Sequence, residues 1–382
     1  MNRQRARRPR VLEEIGEWEW LKRLGRSLLG QSSVGAIREL PSTESAKSRG
    51  TVVVGFGDDA ACLALPPDGK KLILLTTDVL IEGTHFTWQT ATPSTLGEKA
   101  VAVNVSDIAA MGGRPMAMVV ALGAPADFPI AQLEMIFRAI ARACRQWKIA
   151  FVGGDTVRSE QLFLSPTVLG EFEGPAERLP LRNRLRAGQN VYVTGTLGDS
   201  AAGLILLLSS QGSRKRALAR KHRRRLIERH RRPLPRIDEG RILTEHFDEL
   251  AMIDLSDDLR TSVGLLSQAS DIGMTIRSDC LPISPAVRAF CRATRRNPIE
   301  MAICGGEDYE LLFAASAEPR DVERVFQRAG LRTPVAAIGR VGGHRMRWLD
   351  RRGKPLVLRS KPFEHFAPSS AATDRILTLE NT

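Results

Sequence analysis

The stretch PSTLGEKAVAVNVSDIAAMGGRP, residues 93–115, reads as a helix that opens with Ser94 or Thr95 as its cap and stops at Gly112-Gly113-Arg114-Pro115. Asp107 falls inside it among Ala, Val, Ile and Met, where an unpaired carboxylate would be costly. The same oddity recurs on both sides. VVVGFGDDAACL, residues 52–63, sets Asp58 and Asp59 side by side at the end of an apolar run, and such a pair repels itself unless something cationic meets it. Asp78 ends the apolar run KKLILLTTDVL, Asp155 ends FVGGDT, and Asp254 and Asp257 end MIDLSDD.

Any one of these has a plain explanation, because Asp at a strand end is commonly a turn former or a helix cap. Five or six of them, one in mid-helix, point instead to a cluster of hard-oxygen ligands for divalent cations. Cys and His are not paired at zinc-site spacings, which favours magnesium. Magnesium held by carboxylates with open water positions points in turn to a polyphosphate substrate.

The bulk properties are those of a globular protein: 382 residues, 43% hydrophobic and 26% charged. That length is large for one core and predicts two domains. No apolar run approaches a membrane span. MNRQRARRPR lacks the apolar segment of a secretory signal, so a cytoplasmic location is expected, with no membrane partner. Five scattered cysteines, none in a C-x-x-C pair, read as reduced structural thiols. The net charge of +13 is local. Residues 1–10 carry +5 and residues 213–236 carry +11, which leaves −3 for the rest. The basic run reads as a solvated helix face dispensable for chemistry, and no specific nucleic-acid partner is expected.

Strand and helix patterns alternate in each half. A helix is expected over EEIGEWEWLKRLG, and a turn-rich stretch near 174–189 separates the halves. The fold class is therefore α/β or α+β in two domains.

Eight segments then occur in order: GFGDDAACL, TTDVLIEGTHF, LGEKAVAVNVSDIAAMGGRP, FVGGDTVR, YVTGTLGDSAAGL, ERHRRPLPRI, IDLSDDL and GGEDYELLF. Together they resemble the signatures of thiamine-monophosphate kinases, members of a superfamily with aminoimidazole ribonucleotide synthetase and selenophosphate synthetase. The resemblance runs from about residue 14 to 366. It implies transfer of the γ-phosphoryl group of ATP to thiamine monophosphate, several magnesium ions, and a homodimer whose N-terminal sheets join into a barrel. It also implies a division into a disordered arm (1–12), an ATP- and magnesium-binding dimerisation domain (13–175), a C-terminal α/β domain (186–366) and a flexible tail (367–382).

On the same resemblance Asp59, Asp78, Asp107, Asp155, Asp254 and Asp257 would be metal ligands, joined by oxygens of Thr76 and Thr77. Gly154, Asp155, Arg182 and Ser256 match positions near ATP, and His85, Glu307 and Phe363 match positions near the thiamine substrate. No acid–base residue is implied, because the acceptor phosphate is already ionised. Neither a G-x-x-x-x-G-K-[ST] loop nor a protein-kinase motif set is present.

The chain departs from the family at Asp258, where Gly is usual, at DTVRS in place of DTTRG, and at Phe363 in place of Tyr. Asp258 is expected to face solvent, with a turn strained if the family glycine had positive φ. Two readings compete with the kinase: another ATP-dependent enzyme of the superfamily, and a nucleic-acid binder on a degenerate enzyme scaffold. GGEDYELLF and the lack of a catalytic Cys near the N-terminus disfavour selenophosphate synthetase, and the intact carboxylates disfavour a pure binder.

Overall fold

The computed structural model describes residues 51–55, 57–65, 71–209 and 218–358. The helix expected in the first fifty residues and Phe363 lie outside them.

The first half is built on a seven-stranded sheet. Its strands are β1 (Thr51–Val54), β2 (Ala61–Leu65), β3 (Lys71–Thr77), β4 (Leu80–Ile81), β5 (Arg114–Ala124), β6 (Ala150–Arg158) and β7 (Phe163–Phe172). The order is β1-β2-β3-β7-β5-β6, with β4 also on β7. The GDD segment turns a hairpin between β1 and β2, so a strand that the sequence reading passed over precedes β3. Among the described strands of this sheet only β5 and β6 run parallel, and helix α2 (Ile130–Gln146) makes the crossover that a parallel pair needs. Burial alternates along β7, as expected of a strand with one face on the core.

Helix α1 (Pro93–Ala110) lies between the halves, which explains its missing polar face. It packs on β3, β7 and α2 on one side, and on α5 (Ile237–His246) and β9 (Ala251–Asp254) of the second half on the other. Its cap is Thr92 rather than Ser94 or Thr95. Pro93, which has no N–H to donate, takes the first helical position and moves the cap ahead of it. Thr95 completes a capping box: its Oγ1 accepts the Thr92 N–H at 2.9 Å. At the far end Gly112 turns the chain at φ +68, and a Cβ on Gly113 would stand 2.2 Å from a Leu74 methyl.

The second half is a six-stranded sheet of β8 (Asn190–Thr194), β9, β10 (Met274–Arg277), β11 (Leu311–Ala315), β12 (Val335–Val341) and β13 (Arg347–Leu349), in the order β13-β10-β12-β8-β11-β9. Helices α3 (Asp199–Leu208), α4 (Arg220–Arg231), α6 (Leu259–Ser270), α7 (Pro285–Thr294) and α8 (Pro298–Cys304) share its larger apolar core, while α5 and α9 (Pro319–Arg328) bound a smaller one. The architecture is thus a mixed, mostly antiparallel two-sheet fold. No closed barrel is formed among the described residues.

Candidate active site at the seam of the two sheets

The Asp58–Asp59 pair is met by a cation 123 residues away. Arg182, in a short 3-10 turn joining the halves, donates from Nη2 to Asp59 Oδ1 at 2.6 Å and from its backbone N–H to Asp58 Oδ2 at 3.1 Å. Asp58 Oδ1 also accepts the Asp59 N–H, which fixes the turn. Burial and the neighbouring Asp59 push the Asp58 carboxyl up to about 7, although Arg182 pulls it down. Asp59 is raised by burial in the same way.

Three elements deliver the remaining carboxylates to this point. From α1, Asp107 takes a hydrogen bond from Thr76 Oγ1 at 2.6 Å, at the end of β3. One residue beyond that strand, the Asp78 N–H donates to Asn104 Oδ1 at 2.8 Å. From the other half, Asp254 at the end of β9 accepts from Ser106 Oγ at 2.6 Å. Carboxylate oxygens of Asp59, Asp107 and Asp254 all lie within 4.8 Å of one another. Crowding of like charges in a desolvated site shows in their protonation. Burial first, then Asp257 and Asp59, push Asp78 up to about 6. Burial and Asp59 push Asp254 up to about 7, and burial with Asp78 raises Asp107 well above the usual range. Asp59 Oδ2 is buried without a hydrogen-bond partner among the described residues.

The other candidates are dispersed around this centre. Thr77 turns away, its Oγ1 donating to the Pro166 carbonyl at 2.8 Å. Asp155 sits within β6 rather than at its end, because pairing with β5 continues to Arg158. It is exposed, its Oδ1 accepts the Thr156 N–H, and it stands outside the three-carboxylate group. Gly154 lies beside it, so close to β5 that a Cβ would stand 1.9 Å from the Val120 carbonyl oxygen. Ser256 is exposed, and its carbonyl accepts the Glu307 N–H at 2.8 Å. Glu307 adopts φ +57, a conformation that costs a non-glycine residue about 1 kcal/mol. His85 closes a tight turn in which its Nδ1 accepts the Ile81 N–H at 3.0 Å. Asp258 is buried rather than solvent-facing. It caps α6, accepting the Thr261 N–H at 2.7 Å with φ −78, so the position needs no glycine.

Comparison with known proteins places this geometry. Residues 57–172 match AIR synthase related protein, N-terminal domain, and residues 186–347 match AIR synthase related protein, C-terminal domain. A thiamine-monophosphate kinase of Aquifex aeolicus (strain VF5) is 39% identical over 264 residues, 69% of this chain and 81% of that protein. The chain belongs to the thiamine-monophosphate kinase family. The thiamine-monophosphate kinase of Escherichia coli (strain K12) is 36% identical over 321 residues, covering 84% of this chain and 94% of that one. A solved structure described as AaThiL complexed with AMPPCP and TMP superposes with a TM-score of 0.74 at 32% identity, covering 94% of this chain and 100% of that chain. Escherichia coli HypE, a hydrogenase maturation protein, shares the fold at a TM-score of 0.59 and 20% identity.

Several polar residues of this family member escaped the sequence reading. Asn104 and Ser106 flank Asp107 in N-V-S-D and reach Asp78 and Asp254; their polarity inside an apolar helix was the available signal. Lys99, a buried charge on the same helix, pairs with Glu307 at 2.7 Å. In GGEDYELLF, Asp308 accepts the backbone N–H groups of Gly198 and Ser200. Glu310 binds Arg229 and Arg236 at 2.7 and 2.6 Å. The basic segment is therefore not simply a solvated face. Arg225 reaches the buried Asp199 at 3.4 Å, Arg231 donates to the Thr90 carbonyl at 2.7 Å, and Arg232 pairs with Glu98.

Proposed function

We propose that the protein transfers the γ-phosphoryl group of ATP to thiamine monophosphate, yielding thiamine diphosphate and ADP. The observation that carries this reading is the meeting of Asp59, Asp107 and Asp254 at the seam of the two sheets, with Asp78 acting electrostatically on Asp107 and Asp254, and Asp257 on Asp78. The donors are hard oxygens, and the orphaned Asp59 Oδ2 suits a cation, so the site fits magnesium rather than zinc. Asp59, Asp78, Asp107, Asp254 and Asp257 would hold it, with Thr76. Thr77 and Asp155 join that set on family resemblance alone. Magnesium bound there supplies charge neutralisation on the triphosphate and alignment for in-line attack.

The chain's own part is positioning. Thr76 and Ser106 orient two of the carboxylates by hydroxyl donation. Arg182 compensates the Asp58–Asp59 pair and, with Gly154, Asp155 and Ser256, is assigned to the ATP side. His85, Glu307 and Phe363 are assigned to the thiamine side. No residue need act as base, because the attacking phosphate oxygen is already ionised near neutral pH.

We further assign residues 13–175 and 186–366 as the two domains, between a basic arm (1–12) and a tail (367–382). The face of the first sheet that turns away from α1 and α2 exposes Leu75, Met116, Val119 and Val157, which supports a homodimer whose N-terminal sheets close into a barrel. The described residues hold no helix long and apolar enough to cross a membrane, and their five cysteines are unpaired, which suits the reducing cytoplasm.

The test is conversion of thiamine monophosphate to thiamine diphosphate by purified protein with ATP and magnesium. Free thiamine should not react, since no base is provided for an alcohol. Asp107→Asn should lower turnover by roughly a hundredfold or more while the protein stays folded. Efficient phosphorylation of free thiamine, or near-normal turnover by the variant, would contradict the reading.

A further inference from the structure

Lys99 of α1, His230 of α4 and Glu307 of the loop before β11 come from three distant parts of the sequence and meet where the two halves touch. Lys99 Nζ donates to Glu307 Oε1 at 2.7 Å. His230 Nδ1 stands 3.4 Å from Glu307 Oε2 and 3.1 Å from Ser200 Oγ. The Lys99 and His230 side chains are only 6% and 5% exposed, whereas Glu307 keeps 20%. Its main chain is also fixed, in the left-handed region and hydrogen-bonded to Ser256, two residues from Asp254. Lys99 and His230 line a small cavity together with His85, Thr90, Thr95 and Arg231. The Glu307 carboxylate is thus hydrogen-bonded by Lys99 at one oxygen, approached by His230 at the other, and tied through its main chain to the carboxylate centre, yet remains partly open.

The geometry points to Lys99 and His230 as positioning residues that hold Glu307 against the cationic ring system of thiamine monophosphate. The inference rests on the assigned reaction. Among the reactants the phosphates are anionic and would be repelled by Glu307, while the thiazolium ring carries a fixed positive charge. A carboxylate selects that end of the substrate only if it is ionised and held still. Lys99 Nζ sets a positive charge against one oxygen, and His230 beside the other restrains the carboxylate.

Steady-state kinetics on the full-length protein, varying thiamine monophosphate and ATP separately, tests this. Lys99→Met and His230→Leu should raise KM for thiamine monophosphate roughly ten- to a hundredfold, with KM for ATP within about twofold of wild type. His230→Asn, which retains a polar group near the Nδ1 position, should recover most of the loss. With Glu307→Gln already present, Lys99→Met should add little, because it acts through that carboxylate. Should Lys99→Met alone fail to fold, the double variant removes both charges, and the His230 pair carries the comparison. Equal rises in both KM values, additive effects with Glu307→Gln, or no change would overturn the proposal. Wild-type protein that makes no thiamine diphosphate would instead sink the assigned reaction, and the positioning role with it.

Discussion

Asp258 closes the N-terminus of α6 from a buried position, so removing it tests stability before it tests chemistry. Asp258→Ala should cost about 1 kcal/mol, and Asp258→Gly only a few tenths, since glycine is a tolerable N-cap. Urea unfolding of the two variants measures both values. No loss with alanine would mean that the hydrogen bond to Thr261 contributes nothing. The recurrence of acidic residues at 58, 59, 78, 107, 254 and 257 was legible in the sequence because Asp is so costly in apolar surroundings. Their partners were not. Arg182 is 123 residues from Asp59, and Ser106 is 148 from Asp254; nothing local in either segment marks such a pairing. The orientation of Asp258 failed for the same reason, because a family glycine at that position says nothing about whether a side chain there is buried.

Helix α4 carries that lesson to a whole element. Its sequence offers few apolar residues, and a run of Arg and Lys reads as a face in water. In the structure Arg220, Lys221 and Arg224 are exposed, while Arg229, Arg231 and Arg232 turn towards acceptors from other segments. Periodicity of apolar residues finds buried helix faces only when hydrocarbon covers them, and here guanidinium groups do so against Glu310, Glu98 and the Thr90 carbonyl. Arg223→Gln with Arg224→Gln should therefore leave turnover unchanged while weakening salt-dependent retention on heparin. Arg225 does not belong with them, because it reaches Asp199. Arg236→Met should behave differently. It strips a paired guanidinium from Glu310, which is 1% exposed, and should cost about 3–5 kcal/mol in chemical unfolding. An Arg236→Met protein as stable as wild type would show that Arg229 alone suffices for Glu310. The outline of α1 was read correctly but its cap was not, since Pro93 shifts the start by a turn position that pattern alone leaves open.

At the scale of the whole molecule, the two halves were visible as repeated strand-and-helix patterns. Their meeting at one carboxylate centre depends on how the sheets pack on α1, which no local pattern encodes. That convergence concentrates acids whose folded pKa values lie above their unfolded ones, and stability should follow pH accordingly. Asp308 gives the cleanest case, because it stands apart from the proposed metal ligands. Burial pushes it up to about 7 from 3.8, partly offset by hydrogen bonds from the Gly198 and Ser200 N–H groups and by Arg229. The folded state therefore holds a proton that the unfolded chain releases between those values. The contribution is fully present below 3.8 and is lost as pH rises through about 7. Asp58, Asp78 and Asp254 are shifted in the same direction and add to the slope. In chelator, thermal unfolding should occur at lower temperature near pH 8 than near pH 6, a difference of order a few kcal/mol in stability. Asp308→Asn should flatten part of that dependence, since it removes the titrating group. Magnesium should raise the melting temperature more at the higher pH, where the carboxylates that bind it are ionised. A melting temperature that rises from pH 6 to pH 8 in chelator, or a slope unchanged by Asp308→Asn, would show that these acids are already ionised in the folded protein at the lower pH.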